Sequence, residues 1–173
     1  MGFRRVLIAN RGEIALRILR TLRTRGSEVC IVHAAEDRLS RAVHLSDRAV
    51  EIHGPTPVAA YLDIEQIVQV AVDLDVDAVH PGYGFLSENP TFAERLNKEG
   101  ISFIGPSPEV LRVLGDKIEA RRLMGEAGLP TASGSSEPID DEDAAFELAS
   151  SIGFPVIVKA AAGGGGIGMQ VVH

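Results

Sequence analysis

The sequence predicts an α/β protein built on a doubly wound parallel sheet. Two observations carry that reading: from the N-terminus to about residue 106, short apolar runs alternate with helix-periodic segments, and those segments are long enough to cross back over a sheet between parallel strands. The composition agrees, with 45% hydrophobic residues, 18 glycines and nine prolines, as in a globular chain and unlike a disordered tail.

The elements follow in order. "RRVLIAN" reads as a short buried strand, and "GEIALRILRTLRTRG" after it places Ile14, Ile18 and Leu22 at helical spacing, with Ala15 and Leu19 beside them. "SEVCIVHA" is the second strand and "DRAVEI" the third. In "LDIEQIVQVAVDLD" Asp63 is placed to cap a helix, with Gln66 three residues on and Ile64, Ile67, Val68 and Ala71 on one face. "VDAVHPGYG" is a strand that breaks at Pro81. Asn89 followed by Pro90 starts a helix that should run to about Lys98, and "ISFIGP" is the next strand. In a sheet of this kind ligands are expected at the carboxyl ends of the strands.

After Pro106 the pattern changes. "SPEVLRVLG" and "DKIEARRLMGEAG" are two short helices without a strand between them, capped by Ser107 and Asp116, with Glu119 completing a capping-box-like pattern. "DDEDAAFELASSIG" is an amphipathic helix stopped by Gly153, and "FPVIVK" and "GMQVVH" are strands that flank four glycines. A hairpin with one helix is marginal alone, so the chain is expected to hold one α/β domain, a helical connector and the opening of a second domain.

Composition narrows the function classes. A net charge of -7 argues against a general nucleic-acid binder, and no apolar run approaches a membrane span. "MGFRRVLIANRG" has too few apolar residues for a secretory signal, which makes a cytosolic chain the expectation. The single cysteine, Cys30, lies in an apolar run and reads as a small core residue. Asp73, Asp75 and Asp77 resemble the start of a calcium loop, but its glycine position is Ala78 and its final glutamate position is Gly84, so no metal site is expected there.

Several motifs point toward phosphate. Gly163, Gly165 and Gly168 fit G-x-G-x-x-G, yet a strand rather than a helix follows, and no Lys-Ser or Lys-Thr is present, which excludes a Walker A loop. Strand, glycines, strand is the arrangement of a hairpin lid whose bare backbone amides approach anionic oxygens. Lys159 ends an apolar strand just before that loop, where a cation would neutralise phosphate, although an edge-strand lysine can also serve only to block aggregation. Lys117, beside Asp116 at a helix start, reads by itself as a solvated charge. "HPGYGFLSEN" is the most distinctive stretch: two glycines and a proline set an unusual backbone path, Tyr83 offers a flat face with a hydroxyl, and Glu88 a carboxylate nearby. Arg17 and Arg20 lie on one helical face with Glu13 one turn before, the pattern of a salt-bridged surface.

In this order and at these separations, "IANRGEIALRILR", "HPGYGFLSEN", "FIGPSPEV", "LGDK" and "VKAAAGGGGIGM" resemble biotin carboxylase, the ATP-grasp component of biotin-dependent carboxylases. The resemblance runs over the whole chain and covers the N-terminal part of such an enzyme. It implies a pre-ATP-grasp, Rossmann-like domain over 1–106, a helical connector over 107–130 and an incomplete ATP-grasp lid domain over 131–173. It implies that ATP and bicarbonate give carboxyphosphate, whose carboxyl group passes to biotin held on a carrier protein or domain, with a carboxyltransferase as the further partner. By the same resemblance Lys117, Lys159, Gly165, Gly166 and Met169 match ATP-binding positions; Tyr83 and Gly84, with Glu88 beside them, match the turn facing biotin; and Arg17 and Arg20 match a homodimer contact. Two departures bear on the loop: Ile167 stands where the family commonly has arginine, and only alanines separate Lys159 from the glycines, where a serine is common. The magnesium-binding carboxylates, the bicarbonate-binding basic residues and the catalytic base of the family lie beyond the stretch this chain matches, so the 173 residues alone are expected to be inactive, with no catalytic residue or metal ligand among them. The rival readings are another ATP-grasp ligase of the carbamoyl-phosphate or purine-pathway kind, a non-catalytic assembly module, and an NAD-binding domain, the last opposed by the missing fingerprint.

Overall fold

The computed structural model describes residues 2–130, 132–135, 137–159 and 168–173, apart from the side chain of Lys117. The chain divides into two compact units, Met1–Arg112 and Val113–His173.

The first unit is the doubly wound sheet. Its strands are β1 (Arg5–Ile8), β2 (Glu28–His33), β3 (Arg48–Glu51), β4 (Ala78–His80) and β5 (Ser102–Phe103), in the order β3-β2-β1-β4-β5. All four pairings are parallel. Connecting them are α1 (Gly12–Thr24), α2 (Arg41–Leu45), α3 (Pro57–Tyr61), α4 (Ile64–Asp73) and α5 (Pro90–Lys98), and α6 (Pro108–Gly115) follows β5.

Alternation along the central strands builds two cores. Val6 and Ile8 of β1, with Val29 and Ile31 of β2, pack on one side with Ala15, Ile18, Leu19 and Leu22 of α1. Leu7, Cys30 and Val32 pack on the other side with Ile67, Val68 and Ala71 of α4 and Phe92 and Leu96 of α5. A period of two on a strand covered on both faces leaves no polar position, which is why these runs are continuously apolar. Each fully buried Leu, Ile or Phe contributes about 1.5–3 kcal/mol. Phe92 meets Phe103 edge to face at 6.0 Å between ring centroids.

Side-chain caps set the helix starts. Asp63 accepts from the Gln66 N–H at 3.0 Å, and Asn89 from the Phe92 N–H at 3.0 Å with Pro90 in the first turn. Gln66, expected to return the capping bond to the N-cap backbone, instead donates to the Asp63 side chain (3.3 Å), while its amide accepts from the His53 N–H (2.7 Å) and donates to the His53 carbonyl (2.8 Å), tying the loop after β3 to α4. The sequence reading lacked α2, α3 and the 3₁₀ turn Ala35–Asp37, each too short to show a helical period. The three aspartates take structural roles. Asp73 accepts from Gln69 at 2.7 Å, Asp75 pairs with Arg4 at 2.9 Å, and Asp77 accepts from the backbone N–H groups of Arg4 and Arg5 at 2.5 and 2.8 Å, so that its carboxyl group is held below the usual carboxylate range mainly by the Arg5 amide.

The second unit contains α7 (Lys117–Glu126), α8 (Glu142–Ile152) and the antiparallel pair β6 (Val156–Lys159) and β7 (Met169–Val172). Asp116 caps α7 through the Ile118 and Glu119 N–H groups at 2.9 and 3.1 Å. The Glu119 carboxylate, expected to close a capping box, pairs with Arg122 one turn on. Gly153, at φ 94°, ends α8 in a conformation open to glycine. Ile157, Val158, Met169 and Val171 of the hairpin are each at least half exposed.

Tyr61 joins three parts of the first unit. It is 1% exposed, stacks on Phe85 at 4.9 Å, accepts from the Ala34 N–H at 3.2 Å and donates to Asp37 at 2.9 Å. Tyr61→Phe leaves the buried Ala34 N–H without its acceptor, so a loss of about 1–3 kcal/mol in unfolding free energy is expected from urea titration, with the far-UV circular dichroism unchanged.

Candidate functional site

The order β3-β2-β1-β4-β5 places the topological switch between β1 and β4, where connections depart to opposite sides and ligands of open α/β sheets bind. The last rung there runs from the Ala9 N–H to the His80 carbonyl at 3.0 Å. Beyond it Pro81 has no N–H to offer, and a side chain takes over. Asn10, 2% exposed, donates from Nδ2 to the carbonyls of Pro81 (2.7 Å) and Tyr83 (2.8 Å), while its Oδ1 accepts from the Arg11 N–H (2.8 Å). The opposite amide orientation would set oxygen against two carbonyls, so the bonding pattern fixes it.

The turn fits closely around that amide. A Cβ on Gly82 would lie 2.6 Å from Asn10 Nδ2, and Gly82 has φ 68°, so both space and backbone require glycine. Its N–H donates to His80 Nδ1 at 3.0 Å. Gly84 and Phe85 continue with positive φ, 66° and 43°. Left-handed backbone at a phenylalanine costs about 1–3 kcal/mol, offset here by its stacking on Tyr61. Downstream, the Ser87 N–H donates to the Gly84 carbonyl (2.9 Å) and Asn89 caps α5, so the loop is anchored at both ends.

The residues singled out in the sequence fall as follows. Tyr83 is 59% exposed, and its hydroxyl donates to the Glu13 carboxylate, which raises the phenol pKa. Helical spacing offers Glu13 an arginine one turn away on α1; in the folded chain it reaches Tyr83 instead, seventy residues on. Arg17 donates to Thr21 Oγ1 at 2.9 Å, and Arg17 and Arg20 stand on the exposed face of α1. Glu88 is exposed, without a hydrogen bond or ion pair among the described residues. No three histidine, cysteine, aspartate or glutamate side chains gather as metal ligands among the described residues. The part that Asn10 and His80 play in holding the turn is not read from the sequence; the available signal was a polar residue at or just past the end of an apolar central strand.

In the second unit, Lys159 is the exposed last residue of β6 and lies in register with Met169, the first of β7. The hairpin thus brings a cation and a thioether side chain to the same end. Gly165, Gly166 and Ile167 lie outside the described residues, as does the side chain of Lys117, whose backbone starts α7 behind the Asp116 cap.

His80 gives the turn a pH dependence. Burial lowers its pKa from the ordinary 6.5, and only the neutral ring leaves Nδ1 free to accept from Gly82. A histidine pKa depressed by folding contributes stability that is present above the unfolded value and lost as pH falls through the folded value. Urea midpoints should therefore decline below about pH 6.5 by more in the wild type than in His80→Asn, which keeps an acceptor and does not titrate.

Residues 2–111 match the family of the biotin carboxylase N-terminal domain, and residues 116–173 match the ATP-binding domain of the carbamoyl-phosphate synthase L chain. The chain is 52% identical over 171 residues to biotin carboxylase of Allochromatium vinosum, covering 98% of this chain and 38% of that protein. To a pyruvate carboxylase subunit from Methanothermobacter thermautotrophicus it is 45% identical, covering 99% of this chain and 35% of the relative. Among solved structures, biotin carboxylase of Campylobacter jejuni in complex with β,γ-ATP superposes with a TM-score of 0.93 at 44% identity, covering 99% of this chain and 38% of that one. The biotin carboxylase domain dimer of Hydrogenobacter thermophilus 2-oxoglutarate carboxylase, which holds MgADP, ADP and bicarbonate, gives 0.93 at 40% identity, with the same coverage. The chain thus spans just over a third of the length of these relatives.

Proposed function

The chain belongs to the biotin carboxylase family, and from that membership we propose that it is the N-terminal segment of an ATP-dependent carbon–nitrogen ligase that carboxylates carrier-bound biotin. The observation that carries the reading is the stretch from His80 to Asn89 at the sheet's switch point, a turn hydrogen-bonded to Asn10 with an exposed Tyr83. In this proposal Tyr83 and Gly84 face the biotin ring system, with Glu88 beside them. Lys117, Lys159, Gly165, Gly166 and Met169 serve ATP, Lys159 countering phosphate charge and Met169 offering apolar contact at the same end of the hairpin. Functional divisions then fall at 1–106, 107–130 and 131–173.

ATP transfers its γ-phosphoryl group to bicarbonate, leaving ADP, and the resulting carboxyphosphate delivers its carboxyl group to the ureido nitrogen, whose proton passes to the catalytic base as phosphate is released. Charge stabilisation by lysines, backbone amides and Mg²⁺ is the main catalytic term. We assign the Mg²⁺ ligands, the bicarbonate site and the catalytic base to the part of the relatives that the chain does not span, and expect no turnover from the 173 residues alone. The exposed Arg17 and Arg20 are assigned to a homodimer contact. Partners are a biotin carboxyl carrier and a carboxyltransferase, as separate or fused domains, which also choose the final carboxyl acceptor. A cytoplasmic site of action suits the single buried thiol of Cys30, and among the described residues no helix is long and apolar enough to cross a membrane.

The match to a carbamoyl-phosphate synthase ATP-binding domain keeps a second ATP-grasp ligase in view, since the hairpin and Lys159 serve either chemistry. Phosphate release by the polypeptide that carries this segment separates them. Release that requires bicarbonate and rises with free biotin is expected, and Lys159→Ala should raise the KM for ATP by about ten- to a hundred-fold, the equivalent of one charge-assisted hydrogen bond. Release indifferent to biotin would overturn the assignment.

A further inference from the structure

We infer that Asn10, between β1 and α1, and Glu13, in the first turn of α1, form a two-point clamp that sets the position of Tyr83, and that they are positioning residues for the substrate the turn receives. The inference rests on the biotin-facing reading of that turn and adds to it two residues from a different part of the chain.

The clamp grips the tyrosine at its two ends. Asn10 Nδ2 holds the Tyr83 carbonyl at 2.8 Å, and the same nitrogen holds the Pro81 carbonyl at 2.7 Å, so the path on both sides of Gly82 is set by one amide. The Glu13 carboxylate accepts from the Tyr83 hydroxyl and fixes the far end of the ring. Asn10 is 2% exposed, and both of its N–H bonds are spent on the turn, which leaves it no other role on that side. An exposed tyrosine tied at its backbone and its hydroxyl has lost most of its rotamer freedom before any ligand arrives. The entropy of ordering it is then not charged against binding. Asn10 has no polar atom left for a ligand, since its Nδ2 holds the turn and its Oδ1 accepts from the Arg11 N–H.

The chemistry separates the two points. Aspartate at position 10 has the shape of asparagine, but it sets carboxylate oxygen against two carbonyls, whereas glutamine at position 13 keeps an acceptor for the hydroxyl. In the polypeptide that carries this segment, Asn10→Asp and Glu13→Ala should each raise the KM for free biotin, by about ten-fold and about three-fold, with the KM for ATP unchanged; Glu13→Gln should restore most of the loss. Tyr83→Phe should match Glu13→Ala, and the double variant should lose no more than either single one. In the same polypeptide, hydrogen exchange of residues 82–85 should be faster in Asn10→Asp, and the Tyr83 ring should average among rotamers in Glu13→Ala, as read from its side-chain NMR couplings. Glu13 is exposed and outside both cores, so its variants test the clamp even where Asn10→Asp fails to fold. Wild-type exchange at the turn in Asn10→Asp, wild-type Tyr83 side-chain couplings in Glu13→Ala, or KM values for biotin and ATP that rise together, overturn the clamp. A wild-type enzyme without biotin-dependent turnover would instead sink the functional assignment, while the exchange rates and the Tyr83 couplings still decide the clamp.

Discussion

β1 and β4 run side by side in the same direction, so both chains leave the sheet at one edge with their last polar groups facing the same small space. In an antiparallel pair a tight turn could join them and satisfy those groups. A parallel pair must find partners elsewhere, and the interior of an α/β domain supplies little water for the purpose. The side chain of Asn10 meets that need, replacing a further rung of the ladder with an amide that spans two carbonyls. The positive-φ path through Gly82, Gly84 and Phe85, the retention of a neutral imidazole at His80 and the exposure of Tyr83 are all consequences of closing this gap in so little room.

The doubly wound architecture was legible because it is written in strong, short-range signals. Two-sided burial gives unbroken apolar runs, α4 and α5 have their caps beside them in sequence, and Asn89 with Pro90 marks a helix start to the residue. The elements that escaped, α2, α3 and the turn at Ala35–Asp37, are held by tertiary contacts, with Tyr61 anchored to Ala34 and Asp37. Five residues carry less than two helical turns, too little for any period to register.

The candidate site divides along the same line. That the stretch from His80 to Asn89 is special could be read from its glycines and proline, and Lys159 from its place at the end of an apolar strand. What could not be read was the partner of each polar group. Spacing offers Glu13 an arginine one helical turn away, Gln66 the cap of its own helix and Glu119 the N-terminus of α7. The folded chain gives Glu13 to Tyr83 and Gln66 to His53, both across gaps that no local rule spans, and leaves Glu119 with Arg122. An exposed ion pair on a helix is worth only a few tenths of a kcal/mol, so a competing partner with better geometry displaces it easily.

The contacts that hold the loop at the switch point use its main-chain oxygens, which every amino acid possesses. Exchange of the aromatic at position 83 would leave the loop's main-chain course, held from Asn10, as it is, and would cut only the tie of its hydroxyl to Glu13. Main-chain course and side-chain position are therefore specified separately in this loop: one by a buried amide at the first strand's exit, the other by a carboxylate on the helix that follows.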